Sequence, residues 1–498
     1  MPTFKVKVKW GRNLFPDVEL NTDEDPLVFK AQLFTLTGVQ PERQKVMIKG
    51  ATIKDNSWGN AAVSNNSTIL LMGSKEEDVP VEPQVKPRFV EDMNETELAT
   101  VSNLPAGLAN LGNTCYMNAT VQCLKTVPEL RESLRAFKGG IAGGVISAHS
   151  VTAALRDLYE LMDKGVAFPP IMLLQVLQMV FPRFADKNDN GTFVQQDANE
   201  CWTEIVRMLQ QKLPGIYLEG VMTKFKHFID QYFGGVFEVQ YKCTETEDEP
   251  PTKTEEAFLQ LSCFISQDVK YMHSGLKSKL MENITKHSAV LNRDAVYTKM
   301  SKISRLPAYL TVQFVRFYYK EKESVNAKIL KEVKFPIDFD AFDLCTPELQ
   351  AKLTPMRERF KEQEDKEVES NIKSKHLSGA SSLSSYSSLS GQTSSTDEKN
   401  VEKVPFSFDF DLGSNNSGYY RLQAVLTHRG RSSSSGHYVA WVRHSNNTWV
   451  KCDDDVVTPV TEEEVLKLCG GGDWHCAYVL LYGPRILEIP LATEEKNE

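Results

Sequence analysis

The segment Gly107-Leu108-Ala109-Asn110-Leu111-Gly112-Asn113-Thr114-Cys115-Tyr116-Met117-Asn118 constrains the chain more than any other. Turn-tolerant glycines and asparagines run without a break into the helical spacing of Met117, Val121 and Leu124. Asn113 reads as the N-cap, which places Cys115 in the first turn of the helix. Unpaired backbone N–H groups and the helix dipole favour an anion there and lower a thiol pKa towards the thiolate. Pro128 disfavours helix in the residue before it, so the helix is expected to stop near Thr126 and Val127. Cys123, two turns on, reads as core. A single cysteine is ordinarily a small buried hydrophobe, so a catalytic Cys115 depends on what the rest of the chain brings to it.

A base and an acid are available on one hairpin. His437 opens an alternating strand through Val442, Thr448 to Asp455 reads as the return strand, and Ser445-Asn446-Asn447 is the turn. If the hairpin is symmetrical, His437 stands opposite Asp453 on one face. A one-residue slip would turn the face over, and a two-residue slip would bring Asp455 opposite instead. His428 fails the same test, because its midpoint with Asp453 falls inside the strand. An acid accepting from the imidazole would fix its tautomer and aim it at a thiol. The run from Arg429 to Gly436 is rich in Ser and Gly and is expected to be a flexible lid beside His437.

The remaining sequence sets the frame. A length of 498 residues predicts two to four domains with ample core. No apolar run approaches the roughly 18 residues that span a bilayer, and the alternating Phe4 to Trp10 segment is not a secretion signal, so the chain is expected in the cytoplasm or the nucleus. Nine scattered cysteines without a C-x-x-C pair fit reduced thiols, and a net charge of −9 offers no broad attraction to nucleic acid. Residues 4–10 and Val18-Glu19-Leu20 read as a strand pair. A helix then runs from caps at Asn21 to Asp23, past Pro26 and a Val28, Leu33, Leu36 stripe, to Gly38, with further strands at 45–48 and 68–72. This order resembles ubiquitin, although another small β-grasp domain would share it. The expected boundaries are a ubiquitin-like domain over 1–75, a linker over 76–103, a catalytic domain over 104–484 with a low-complexity insertion at about 363–404, and a polar tail over 485–498.

The Cys115 segment resembles the Cys box of the ubiquitin-specific proteases, and Gly436-His437-Tyr438 through Asp455 resembles their His box. Gln195 to Glu200 is similar to their QQD box, and Arg305 to Phe317, read as a buried strand, to a further block. The resemblance implies an α+β, papain-like fold with thumb, palm and fingers. It implies a thiol hydrolase that cleaves after the C-terminal glycine of ubiquitin, with Cys115 as nucleophile, Asn110 stabilising the oxyanion, and His437 and Asp453 completing the triad. It also implies ubiquitin contacts from Gln196, Asp197 and Tyr438; Asp197 reads equally as an acid complementing a helix dipole. Cys452 stands where the family has an aromatic, a departure expected to loosen the packing beneath the acid. Many relatives bind zinc in the fingers. Here Cys243 is followed by Thr246, Lys299 and Lys302 at the other ligand positions, so no metal and no cofactor are expected. The N-terminal domain narrows the resemblance to proteasome-associated members of the family, implying docking on the regulatory particle of the 26S proteasome. The alternative is a non-catalytic ubiquitin-binding scaffold of the same fold.

Overall fold

The computed structural model describes residues 3–490 apart from 56, 60–62, 75–103, 141–146, 166, 218–224, 321–324, 378–400, 433–434, 445–447 and 473. The chain divides into two compact units, Met1–Met93 and Asn94–Glu498. The linker expected over 76–103 lies almost wholly outside the described residues, as does the Ser-rich core of the insertion.

In the first unit, five strands are ordered Asn13–Asn21, Thr3–Trp10, Thr68–Met72, Lys45–Ile48 and Ala51–Thr52, with the Thr3–Trp10 and Thr68–Met72 pair parallel. A helix, Pro26–Thr37, makes the crossover. Asp25 caps it by accepting from the Leu27 N–H at 3.0 Å, and Gly38 ends it in the left-handed region at φ 74°. The caps expected at 21–23 therefore sit too early. The buried face is Pro26, Phe29, Lys30, Leu33 and Thr37, while Val28 and Leu36 are exposed, so Leu33 alone of the expected stripe faces the core. Lys30 tolerates burial because its ammonium reaches Asp55.

The second unit combines a helical lobe with two sheets. The lobe comprises Cys115–Lys125, Pro128–Ala136, Ala148–Met162, Ile171–Val180 and Ala198–Lys212. The larger sheet runs Val456–Val460, Trp449–Asp453, Ser435–Arg443, Tyr419–Ser432, Cys476–Pro484, Leu310–Val315, Leu261–Phe264, with Asp338–Asp340 attached to Tyr419–Ser432. The smaller sheet is antiparallel: Thr252–Phe258, Gly235–Cys243, Arg293–Arg305, Met281–Ser288. Lobe, larger sheet and smaller sheet correspond to the expected thumb, palm and fingers. One apolar cluster joins the lobe to the larger sheet, with Leu124, Trp202 and Ile205 from helices and Leu426, Ala440 and Val450 from strands.

Arg316, fully buried, shows how the palm is tied together. It donates to the carbonyls of Ala477 at 2.6 Å, Lys331 at 2.9 Å and Cys469 at 3.0 Å, which is how a charge survives inside a core. Two expected boundaries move. Glu488–Pro490 pairs with Val401–Lys403, and Leu487 is buried with Phe360 and Val404, so the domain extends past 484 and the insertion closes by 401. Apolar Leu487 and Ile489, set among charges, were too short a signal to separate from a tail. Among the described residues no helix is long and apolar enough to cross a membrane.

Candidate active site

The helix Cys115–Lys125 starts at the cysteine itself, and its cap is Thr114, not Asn113. Asn113 takes φ 57° and donates its side-chain N–H to the Phe193 carbonyl at 2.8 Å, which removes it from the cap geometry. Thr114 Oγ1 turns back to accept from the Leu111 N–H at 2.9 Å, and no side chain caps the first turn. Its orphan N–H groups therefore face the Cys115 end of the helix. Cys115 is 2% exposed.

His437 and Asp453 meet by a route the symmetrical hairpin does not describe. The ladder pairs Ala440 with Cys452 and Trp441 with Lys451, a two-residue offset that would put Asp455 opposite His437 if it continued. It ends at Ala440 and Cys452, and Asp454 turns the chain at φ 56°. An even offset preserves the face, so Asp453 reaches His437 diagonally, Oδ1 to Nε2 at 2.6 Å. Lys451 Nζ holds the other oxygen, Oδ2, at 2.7 Å. The His437 hydrogen bond, against burial and with help from Lys451, keeps the Asp453 carboxyl far below the ordinary carboxylate range. The same bond, together with one to the Cys115 thiol and against burial, pushes His437 up to about 10. With Nε2 on Asp453, Nδ1 is left for the sulfur.

Asp454 joins the two halves of the site. Its oxygens accept from Asn110 Nδ2 and Asn118 Nδ2, each at 2.9 Å, and its carbonyl accepts from the Leu108 N–H at 2.8 Å. Asn110 Oδ1 in turn accepts from the N–H groups of Gly112 at 3.0 Å and Thr114 at 3.1 Å, which fixes the direction of its amide. Gly107 lies so close to this turn that an added Cβ would stand 2.3 Å from the Asp455 carbonyl oxygen. Neither Asp454 nor Asn118 nor Lys451 was assigned a role from sequence. The available signals were the triple-acid run and Asn118 lying three residues after Cys115 on one helix face.

The expected ubiquitin contacts separate. Asp197 caps the helix Ala198–Lys212 through the Asn199 N–H at 2.7 Å, and both of its oxygens accept from Tyr478 Oη, at 2.9 and 2.8 Å. Burial raises its pKa. The dipole-complementing reading therefore describes its present bonds. Gln196 is half-buried, with Nε2 on the Val194 carbonyl at 3.3 Å. Tyr438 is 1% exposed: alternation turns it to the face opposite His437, into the core against His428 at 4.6 Å, so it offers no surface to a partner. The Arg429 to Ser432 run expected to be flexible is paired, Arg429 with His437 and Ser432 with Ser435; residues 433–434 lie outside the described residues. Cys452 packs in the core with its thiol pushed up to about 12 by burial, and the acid beside it is fixed from both sides, so the expected loosening is not seen.

Two further histidines flank the site in a different state. His428 and His475 are buried, and burial lowers each to about 3, leaving them neutral. Among the described residues, one group could offer a metal three ligands, His437, Asp453 and Asp454, within 4.8 Å of one another. Their atoms are already bonded to each other and to the two asparagines. Cys243 sits instead in a small cluster with Ala295 and Tyr297, and Lys299 pairs with Glu256 at 3.2 Å.

Comparison with known proteins places this geometry in context. The ubiquitin carboxyl-terminal hydrolase family model matches residues 106–482. Ubiquitin carboxyl-terminal hydrolase 14 of Caenorhabditis elegans is 41% identical, covering 97% of this chain and 94% of its own. Ubiquitin carboxyl-terminal hydrolase 7 of Arabidopsis thaliana is 38% identical over 97% and 99%, and ubiquitin carboxyl-terminal hydrolase 6 of Schizosaccharomyces pombe 38% over 96% and 98%. A solved structure of the SAGA Ubp8/Sgf11/Sus1/Sgf73 DUB module bound to ubiquitin aldehyde shares the fold, with a TM-score of 0.50 and 21% identity over 76% of this chain and 69% of that one.

Proposed function

Because the chain belongs to the ubiquitin carboxyl-terminal hydrolase family and so is a cysteine-type deubiquitinating enzyme, we propose that Cys115 is its nucleophile, His437 its acid and base, and Asp453 the acid that orients His437. The observation that carries the reading is the division of one imidazole: Nε2 is fixed on Asp453, and the ring, held cationic at neutral pH, turns its other nitrogen to the sulfur. Cys115 Sγ attacks the carbonyl of the terminal glycine of ubiquitin, forming a C–S bond and an oxyanion that the second Nδ2 hydrogen of Asn110 and first-turn N–H groups stabilise. Collapse breaks the C–N bond, and the departing lysine amine takes the proton from His437 Nδ1. Water, deprotonated by the same nitrogen, then attacks the thioester carbonyl and breaks the C–S bond, which frees the ubiquitin carboxyl group and leaves the sulfur, with its electron pair, beside the reprotonated ring. Asp197 and Gln196 border the entry for the extended ubiquitin tail.

The finer reading is that this enzyme works on the proteasome in the cytoplasm and nucleus, docked by its N-terminal unit on the regulatory particle. Support comes from the ubiquitin-like strand order ahead of the catalytic unit. The test is hydrolysis of a fluorogenic ubiquitin C-terminal amide by the purified chain, alone and with proteasomes stripped of other deubiquitinases, with Cys115→Ala as control. Turnover strengthened by proteasomes and lost in Cys115→Ala is expected, and deletion of 1–75 should weaken co-purification. Binding without turnover under both conditions would favour the scaffold instead.

A further inference from the structure

We propose that Thr427 is a positioning residue for the deubiquitinating reaction, a buried hydroxyl that sets the His437–Asp453 pair through Trp441 and Lys451. The inference rests on the triad reading above and extends it to the layer of the palm behind the triad. Thr427 pairs with Val439 across the strands Tyr419–Ser432 and Ser435–Arg443, and Trp441 pairs with Lys451 on Trp449–Asp453. Alternation therefore puts Thr427, Val439, Trp441 and Lys451 on the same face as His437 and Asp453.

Thr427 is fully buried, and three partners converge on its one hydroxyl. Oγ1 lies 3.1 Å from the Val439 carbonyl, 3.0 Å from Trp441 Nε1 and 3.2 Å from His475 Nδ1. A carbonyl only accepts and an indole N–H only donates, so the hydroxyl gives its single proton to Val439 and accepts from Trp441. All three contacts are hydrogen bonds together only when His475 carries a proton on Nδ1. Burial, and then the neighbouring cations Arg429, His437 and Lys451, keep that ring neutral, so its one N–H is the bond to Thr427.

Trp441 carries the constraint towards the reaction centre. The second torsion of a tryptophan side chain is soft, so the ring needs an anchor beyond its own rotamer to stay in one place. Held at Nε1, the ring lies beneath Lys451 Nζ, 5.9 Å from the ring centroid. Lys451 in turn holds Asp453 Oδ2 at 2.7 Å, and Asp453 Oδ1 lies 2.6 Å from His437 Nε2. His475 closes the layer, its ring 6.2 Å from that of His437 and tilted 71° to it. A hydroxyl that never meets the substrate thus fixes the platform of the cation that fixes the acid.

The test is steady-state hydrolysis of a fluorogenic ubiquitin C-terminal amide by Thr427→Val, which keeps the branching and removes the hydroxyl, and by Thr427→Ser, which restores it. Thr427→Val should lose about tenfold in kcat with KM nearly unchanged, and Thr427→Ser should recover most of the loss. In a Lys451→Met background Thr427→Val should cost about twofold or less, because both substitutions act through one oxygen of Asp453. Nitrogen NMR of protein labelled at histidine should find the His475 proton on Nδ1, and on Nε2 in Thr427→Val. Thr427→Val leaves two buried donors unpaired, so its Tm is recorded; if it does not fold, Trp441→Phe, which keeps a ring and loses Nε1, repeats the coupling with Lys451→Met. Wild-type kcat in Thr427→Val, a loss confined to KM, no recovery in Thr427→Ser, or full additivity with Lys451→Met would overturn the inference. Turnover that survives Cys115→Ala would instead overturn the triad reading on which it rests.

Discussion

Lys451 holds the oxygen of Asp453 that His437 leaves open, 2.7 Å from Oδ2, while His437 sits 2.6 Å from Oδ1. The acid is therefore fixed from both sides, and the lysine helps keep it ionised. Lys451→Met frees one oxygen of that acid and should lower kcat/KM about tenfold at neutral pH by letting the Asp453–His437 pair drift, while Lys451→Arg retains most of the wild-type value. Steady-state kinetics of the three proteins at about pH 7 check this; a wild-type kcat/KM in Lys451→Met would contradict it.

The neighbouring acids should separate by mechanism. Asp453→Asn removes the acceptor that orients His437 and should lower kcat/KM by about 10²- to 10⁴-fold. Asp454→Asn leaves the His437 bond in place and loosens Asn110, so kcat should fall less while alkylation of Cys115 by iodoacetamide stays near wild type. Equal effects of the two substitutions on alkylation would sink the distinction.

Gly107→Ala tests the seam between the nucleophile loop and the acid strand. With the Asp455 carbonyl 2.3 Å from the new Cβ, the loop must move, at a cost of about 1–3 kcal/mol. Denaturant midpoint and turnover should both drop. Wild-type values for both would mean that the seam gives way freely.

Acid should unfold the enzyme partly through His428 and His475. Their folded pKa values, about 3, lie below the unfolded value of about 6.5, so the unfolded chain binds more protons in that window. Their contribution is complete above pH 6.5 and is lost as pH falls towards 3. His437 runs the other way, contributing fully below 6.5 and losing it as pH rises through about 10. His428→Gln should flatten the fall in Tm between pH 7 and pH 4; a slope as steep as wild type would assign that acid sensitivity elsewhere.

Much of this site could be read from residue order, because its parts are local. Cys115 at a helix start follows from glycines, asparagines and apolar spacing, and His437 with Asp453 from a period of two. What escaped reading depends on contacts distant in sequence. The cap moved from Asn113 to Thr114 because Asn113 bonds to Phe193, and Tyr438 left the surface because its strand is covered on that side by the helical lobe. The hairpin register was off by two, yet the acid was the same, since an even shift preserves the face. Lys451 and Asp454 looked like solvated charge in a polar run. Only folding gives them His437's acid and Asn110 as partners.

The strand Cys476–Pro484 follows every other strand of the palm in the chain, yet it lies inside the sheet between Tyr419–Ser432 and Leu310–Val315. A chain still being translated can wind the Cys115 helix early, but it cannot close that sheet until Pro484 has emerged, about 370 residues after the nucleophile. Unfinished or truncated products would thus carry an unarmed thiol, which spares a growing polypeptide from attacking ubiquitin conjugates around the ribosome.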